Sequence, residues 1–354
     1  MKRTFIAVSV LLLVALGYFL LWPVPIDPAV AQLPPAPPLL GDYAVNEVLH
    51  ATERIGAAAG LAPEDIAIDS AGRIYAGFVD GRILRFQPEA GQVEEFANTG
   101  GRPLGLEFDG KHNLIVCDSY KGLLSISPNG SVETLATEHD GKRFGFTDDL
   151  DIGADGVIYF SDASWKFGQK EFVEDLLEHR PNGRLLAYDP GTKSTSLLMD
   201  NLYFANGVAM GPDDEYVLVV ETGAYRVLRY WLRGPQRGKA EVFIANLPGF
   251  PDGITRGEDG RLWIALATPR DPMLDATLPR PWLRKVVLRL PKALQPGPKK
   301  YGFVLAVDAE GKVVRNYQDP AGAYAPITNV REHAGYLYFG SIEERGFGRL
   351  KLPG

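Results

Sequence analysis

From residue 60 onward the hydrophobic and polar positions alternate with a period of two, in short runs that end at glycine-containing turns. "PEDIAIDSAGRIYAGFVDGRILRF" (63–86) has the same form as "PLGLEFDGKHNLIVCDSYKGLLSI" (103–126) and "TDDLDIGADGVIYFSDAS" (147–164). "ANGVAMGPDDEYVLVVETGAYRVLRYWL" (205–232), "PDGITRGEDGRLWIALAT" (251–268) and "ITNVREHAGYLYFGSIEERGFGRLKL" (327–352) repeat it, which makes six copies. Their spacing of about forty to seventy residues suits four-stranded blades with insertions, so the pattern predicts an all-β fold, a six-bladed β-propeller spanning 45–354.

The last copy is one strand short of a blade, while "NEVLHATERIG" (46–56) precedes the first copy and has no other place. We expect it to complete the sixth blade and so remove an exposed sheet edge. Phe172, Leu176 and Leu177 in "QKEFVEDLLEHR" (169–180) have helical spacing. "PMLDATLPRPWLRKVVLRLPKAL" (272–294) is a long insertion in blade five; the first segment is read as a cap over one face, the second either as part of that cap or as a passive surface insertion.

The pattern changes at the chain's start. Lys2 and Arg3 precede the uncharged run "TFIAVSVLLLVALGYFLLW", long enough to cross a ~30 Å hydrocarbon core as a helix. Residues 1–22 are therefore a signal anchor or signal peptide. The A-x-A-like "AVAQ" at 29–32 lies far from the apolar run, which favours an uncleaved anchor. The leading positive charges put the remainder on the non-cytoplasmic side, secreted if the signal is cleaved. "PVPIDPAVAQLPPAPPLL" (23–40) reads as a stiff Pro-rich spacer within a linker of residues 23–44 that holds the body off the membrane.

Composition removes several function classes. With 37 basic and 44 acidic residues the net charge is −7, and we find no basic cluster after the first residues, so nucleic acid is excluded as a partner. Cys117 is the only cysteine, which rules out an intramolecular disulfide and a cysteine-based zinc site, and it reads as a small core residue. His50, His112, His139 and His179 read as surface, turn or strand residues outside any Ser-His-Asp or paired-His arrangement, and no G-x-S-x-G elbow occurs.

The chemistry sits at the strand starts. Glu64, Asp148, Asn206 and Asp252 occupy the same register of four repeats, in "APEDIAI", "FTDDLDI", "FANGVAM" and "FPDGITR". In a propeller such positions converge at the mouth of the central channel. All four offer oxygen, so a hard cation, Ca²⁺ before Mg²⁺, suits them better than zinc or copper. Strand alternation lets Asp148 face the channel while Asp149 turns away to hydrogen-bond between blades. Asp118, Asp162, Glu221 and Glu343 end the second strands, where they read as structural acceptors before catalytic bases. Trp165, Phe167, Phe204 and Phe250 are expected to line a pocket for an apolar ester.

The motifs "GRPLGLEF", "FTDDLDI", "GVIYFSDAS", "GRLLAYDP", "FANGVAM", "VLVVETGAYRVLRYWLRG", "LPGFPDGI" and "EHAGYLYFGSI" resemble the strictosidine synthase-like family over about residues 45–352. Wider kin are the calcium-dependent paraoxonases and the gluconolactonase and regucalcin group. The resemblance implies a six-bladed propeller, often behind a signal anchor, with arylesterase or lactonase activity in many members. It implies calcium held by Glu64, Asp148, Asn206 and Asp252. The relatives usually have Asn where Asp148 stands; the extra charge should tighten calcium binding and weaken the ion as an electrophile. The synthases' acid/base Glu falls on Thr328 here, counting back from Glu332 and His333. A hydroxyl cannot take that proton-transfer role.

The expected function is thus calcium-dependent hydrolysis of a small-molecule ester or lactone, with Asp252 as first choice of base and Asp148 as second. The alternative is a non-enzymatic membrane-tethered binding propeller whose ion is structural.

Overall fold

A computed structural model describes residues 2–87, 91–295 and 297–352. Six four-stranded antiparallel sheets form its body. Blade 1 begins with the strand Ile66–Ile68, blade 2 with Pro103–Phe108, blade 3 with Thr147–Ile152, blade 4 with Ala205–Met210, blade 5 with Gly249–Arg256 and blade 6 with Val330–His333. These innermost strands pack against one another in that order, and the sixth packs back against the first, so the blades close a ring.

The closing strand is Glu53–Ile55, which runs antiparallel to Phe347–Lys351 with Glu53 opposite Arg349 and Ile55 opposite Phe347. His50 lies outside that strand, in a 3₁₀ turn over Val48–Ala51, with its Nδ1 3.4 Å from Asp319 Oδ1.

Apolar alternation has a direct consequence for packing. Each blade turns one row of side chains toward the preceding blade and the other toward the next, so the core is six inter-blade layers. Ala67, Tyr75 and Ile83 of blade 1 meet Leu106, Val116 and Leu124 of blade 2. Tyr338 and Phe347 of blade 6 meet Ile66, Ile74 and Phe86 of blade 1 to complete the circle. Cys117 is buried in the layer between blades 2 and 3, beside Leu150 and Phe160.

Among the described residues four α-helices lie outside the blades: α1 (Lys2–Leu21), α2 (Phe172–Glu178), α3 (Pro272–Thr277) and α4 (Pro281–Arg289). Helix α1 is long and apolar enough to cross a membrane and shows its side chains to the outside. Helix α2 follows the second strand of blade 3, and α3 and α4 form the blade 5 insertion.

The segment 23–44 does not stand free as a spacer. Ile26 is buried against Phe167 and Leu177, Ala29 N donates to Glu178 O at 3.0 Å, and Ala31 N donates to Leu278 O at 3.1 Å. Further along, Arg270 Nη2 donates to Pro34 O and Asn246 Nδ2 to Pro35 O. Leu39 and Tyr43 then pack on the layer between blades 4 and 5. Proline has no N–H to donate, so at Pro34 and Pro35 the strap offers only carbonyls, and the side chains of Arg270 and Asn246 donate to them.

Arg284 fastens the strap to the helices. Fully buried, it donates to Leu177 O at 2.9 Å, Glu178 O at 3.2 Å, Leu278 O at 3.2 Å and the carbonyl of Ala29. A cation at the C-terminal carbonyls of α2 satisfies acceptors that the helix leaves open. Burial pulls the Arg284 guanidinium down to about 10.

Candidate functional site

The starts of the six innermost strands define a ring of equivalent positions: Glu64, Leu104, Asp148, Asn206, Asp252 and Thr328. In blades 2, 3, 4 and 5 the pairing register slips at this point, between Pro103 and Leu106, Thr147 and Leu150, Ala205 and Val208, and Pro251 and Ile254. Such bulges re-aim side chains and are frequent beside functional sites. Here they turn one residue per blade toward the channel and leave the next to face its neighbour.

That next position is Asp65, Gly105, Asp149, Gly207, Gly253 and Asn329. Asp65 Oδ2 accepts from Leu106 N at 2.9 Å, and Asp149 Oδ2 accepts from Val208 N at 2.9 Å. The expected division of labour between Asp148 and Asp149 is what the structure contains. Where glycine stands instead the blades approach too closely for a side chain: a Cβ on Gly207 would lie 2.5 Å from Asp252 O. Asp151 repeats the inter-blade bond two residues on, accepting from Met210 N at 2.7 Å.

Glu64, Asp148, Asn206 and Asp252 are all brought to one pocket, each at most 8% exposed. Asp148 Oδ2 is buried with no hydrogen-bond partner among the described residues. Burial, and then the Asp148 and Asp252 charges, push the Glu64 carboxyl well up. Asp148 is raised well above the carboxylate range by burial and by Asp252, with Arg102 opposing. Burial raises Asp252 to about 7 against a side-chain hydrogen bond from Asn206. Arg102, itself buried, is held by Ala62 O at 2.8 Å and faces Glu64 and Asp148.

Three carboxylates and one guanidinium carry a net charge of −2 when ionised, and an orphaned carboxylate oxygen lacks a partner. A divalent hard cation matches both the charge and the donor chemistry. Among the described residues no three His, Cys, Asp or Glu side chains stand at ligand spacing, so these side chains must draw together to grip an ion.

The pocket above the ring has a cavity of about 260 Å³ and is mainly apolar. Phe146 and Phe204 meet edge to face at 5.5 Å, and Phe172 and Leu176 of α2 pack on them. Phe250 and, from the insertion, Leu274 and Val287 complete the wall. Phe204 holds a left-handed backbone at φ 59°, rare for a bulky residue, and it directly precedes the strand that carries Asn206.

Two of the four aromatic residues expected in the pocket are elsewhere. Trp165 is half exposed with Lys142 Nζ 3.6 Å from its ring centroid, and Phe167 packs on Ile26. Both lie beyond the strand end, where side-chain alternation no longer sets direction.

The second-strand acids divide in the same way. Asp118 accepts from Arg102 N and Tyr120 N, both at 2.9 Å. Asp162 accepts from Phe146 N at 2.9 Å and pairs with Arg184 at 2.6 Å. Glu221 accepts from Tyr203 N at 2.8 Å and pairs with Arg226. These three brace the loop that enters the same blade's first strand. Glu343 instead borders the pocket.

Thr328 Oγ1 donates to Glu64 O at 2.8 Å and is fully buried, so its hydroxyl is committed to positioning the Glu64 backbone. His179 is also buried rather than a surface histidine. It caps α2, stacks on Tyr203 at 4.8 Å, and is drawn down to about 4 by burial and then by Arg284.

Sequence reasoning missed a basic run in the insertion. Arg280, Arg284, Lys285, Arg289, Lys292, Lys299 and Lys300 follow one another with no acid between Asp275 and Asp308. Interleaved apolar residues hide it from a search for adjacent charges, but a count of acids over this window would have found it.

A closed six-bladed propeller with acidic and amide side chains beneath an apolar pocket defines the class of protein. Family models described as strictosidine synthase and as strictosidine synthase-like, N-terminal, match residues 148–235 and 41–86. Protein STRICTOSIDINE SYNTHASE-LIKE 6 of Arabidopsis thaliana is 38% identical over 93% of this chain and 88% of its own. The adipocyte plasma membrane-associated protein of Danio rerio is 34% identical over 93% and 84%. The chain belongs to the strictosidine synthase-like family.

Solved structures share the fold at low identity. A gluconolactonase from Xanthomonas campestris superposes with a TM-score of 0.63 at 18% identity, covering 93% of this chain and 99% of its own. A calcium-binding regucalcin from Agrobacterium tumefaciens gives 0.59 at 15%, over 85% and 91%.

Proposed function

We propose that this chain is a calcium-dependent hydrolase of esters or lactones, displayed on the non-cytoplasmic face of a membrane by α1. One observation carries the reading: Glu64, Asp148, Asn206 and Asp252 share the floor of an apolar pocket, the last three from bulged strand starts, and Asp148 keeps a buried oxygen with no hydrogen-bond partner among the described residues. A bound Ca²⁺ would supply a Lewis acid for the substrate's carbonyl oxygen.

This chain's own residues supply the remainder. Phe146, Phe204 and Phe250 exclude water and hold the apolar part of the substrate. Asp252, at the ring and open to the pocket, takes the proton from the attacking water, and Asp148 is the second choice for that role. The names of the gluconolactonase and regucalcin structures agree with lactone chemistry and calcium. A condensing, synthase-type reaction is disfavoured because Thr328 has its hydroxyl bonded to Glu64 O.

The test measures metal content and activity together. The full chain is purified in detergent without chelator and assayed on phenyl acetate and a panel of lactones, before and after EDTA and with calcium restored. Hydrolysis that leaves and returns with calcium is expected, and D252N should bind the ion yet lose turnover. Bound calcium that raises the melting temperature with no ester or lactone turned over would overturn the hydrolase reading in favour of a binding propeller with a structural ion.

A further inference from the structure

The blade 5 insertion, residues 271–300, exposes large apolar side chains that nothing in the fold requires. Met273 is 74% exposed, Trp282 58% and Leu294 67%. The same segment carries the seven cations of the basic run, of which Arg284 and Arg289 are buried, in a chain whose net charge is −7. Arg280, Lys292, Lys299 and Lys300 are exposed, and Lys285 is half-buried. The nearest acid to any of these is Glu344, 4.0 Å from Lys300 Nζ. Asp271 and Asp275 on α3 are engaged within the fold: Asp271 caps α3, and Asp275 pairs with Arg270 at 2.8 Å.

A second observation fixes where this surface sits. Arg289, the last residue of α4, donates to Trp22 O and to Phe19 O, both at 2.7 Å, and Tyr18 Oη donates to Arg289 O at 3.2 Å. The C-terminal end of α1 is thus bolted to the C-terminal end of α4. A span of 20 residues rises about 30 Å, the thickness of the hydrocarbon core, so its end lies at the headgroup layer. Tyr18 and Trp22 are the aromatic residues favoured at that level. Helix α4 is held at the same depth.

We propose that the α3–α4 insertion is a membrane seat that lies on the bilayer surface and binds anionic lipid headgroups. Trp282, Met273 and Leu294 enter the interface, and Arg280, Lys285, Lys292, Lys299 and Lys300 meet the headgroup charge. Each cation near an anionic surface contributes about fivefold to the bound-to-free ratio. Leu274 and Val287 of the same insertion line the pocket, so its rim lies at the bilayer surface rather than in open water. The inference rests on α1 as the span and is independent of hydrolysis.

Cys117 is fully buried, so a cysteine introduced on the surface is the accessible thiol for a spin label. The full chain is reconstituted in nanodiscs of phosphatidylcholine alone or mixed with phosphatidylserine, and labelled in turn at W282C, at V10C in α1, and at K111C on the far face of the propeller. Relaxation by oxygen is compared with relaxation by a water-soluble nickel chelate. With phosphatidylserine, labels at 282 and 10 should be oxygen-accessible and chelate-protected, while 111 is the reverse. Adding R280Q, K292Q and K300Q to the W282C chain should lower the seated-to-lifted ratio roughly a hundredfold. A label at 282 as exposed to the chelate as that at 111, with 10 protected, would overturn the seat while leaving the anchor. Chelate access at all three positions would overturn both.

Discussion

The carboxylate ring makes a measurable demand on stability. Asp252 is held at about 7 in the fold against an unperturbed 3.8. For an acid raised in this way the folded state keeps a proton that the unfolded state has released. Stability therefore falls as pH climbs from 3.8 and levels off above about 7. At about 1.36 kcal/mol per pH unit, the penalty grows by about 3 kcal/mol between pH 5 and pH 8. Asp65 and Asp151, each raised to about 6 chiefly by burial, act in the same direction. His179, drawn down to about 4, acts oppositely below about 6.5. Comparing the wild type with D252N cancels these other groups to first order. In detergent with chelator, D252N should gain about 3 kcal/mol on the wild type between pH 5 and pH 8. With about 2.1 cal/mol/K of unfolding entropy per residue over roughly 300 residues, that is about 5 °C in Tm. Calcium added at pH 8 should restore most of the wild type's deficit. A gap between the two proteins that stays constant with pH would refute the buried, mutually repelling ring.

Other expectations follow from particular contacts. Arg284→Ala should free the strap, because the carbonyls of Ala29, Leu177 and Leu278 lose a charged donor; the cost is about 3 kcal/mol or more, read as faster hydrogen exchange over residues 26–36, and unchanged exchange would count against it. Gly340→Ala would place a Cβ 1.8 Å from Glu64 O, so Tm and calcium affinity should fall together in melting and titration experiments. Thr328→Val removes one hydrogen bond to Glu64 O and should cost about 1 kcal/mol by denaturant titration, without the total loss of hydrolysis expected of D252N.

The blades were legible because period-two alternation and Gly turns are local signals, and because the missing strand of the last blade matched the orphan segment before the first. The four oxygen donors were legible for a similar reason: strand-start positions recur at one register, so comparing repeats finds them without coordinates. Trp165 and Phe167 misled because aromatic character does not encode direction once the strand has ended. The strap was invisible since its binding runs through backbone carbonyls, which every residue possesses. The basic run was masked by the folding of its own apolar residues, Leu274, Val287 and Leu288, against Ile26 and Phe167. Only their burial separates the exposed face from the packed one.

The pairing of Glu53–Ile55 with Phe347–Lys351 has a consequence for how the chain is made. The first strand of the propeller to emerge pairs with a strand about 290 residues later, so the ring stays an open arc with two raw edges until Phe347–Lys351 has been synthesised. A polypeptide stopped before residue 347 would remain an unclosed arc, with blade edges offered to any neighbour of the same kind. Closure of the propeller therefore waits on Phe347–Lys351, and quality control acting on this chain needs to detect only whether that strand has found Glu53–Ile55.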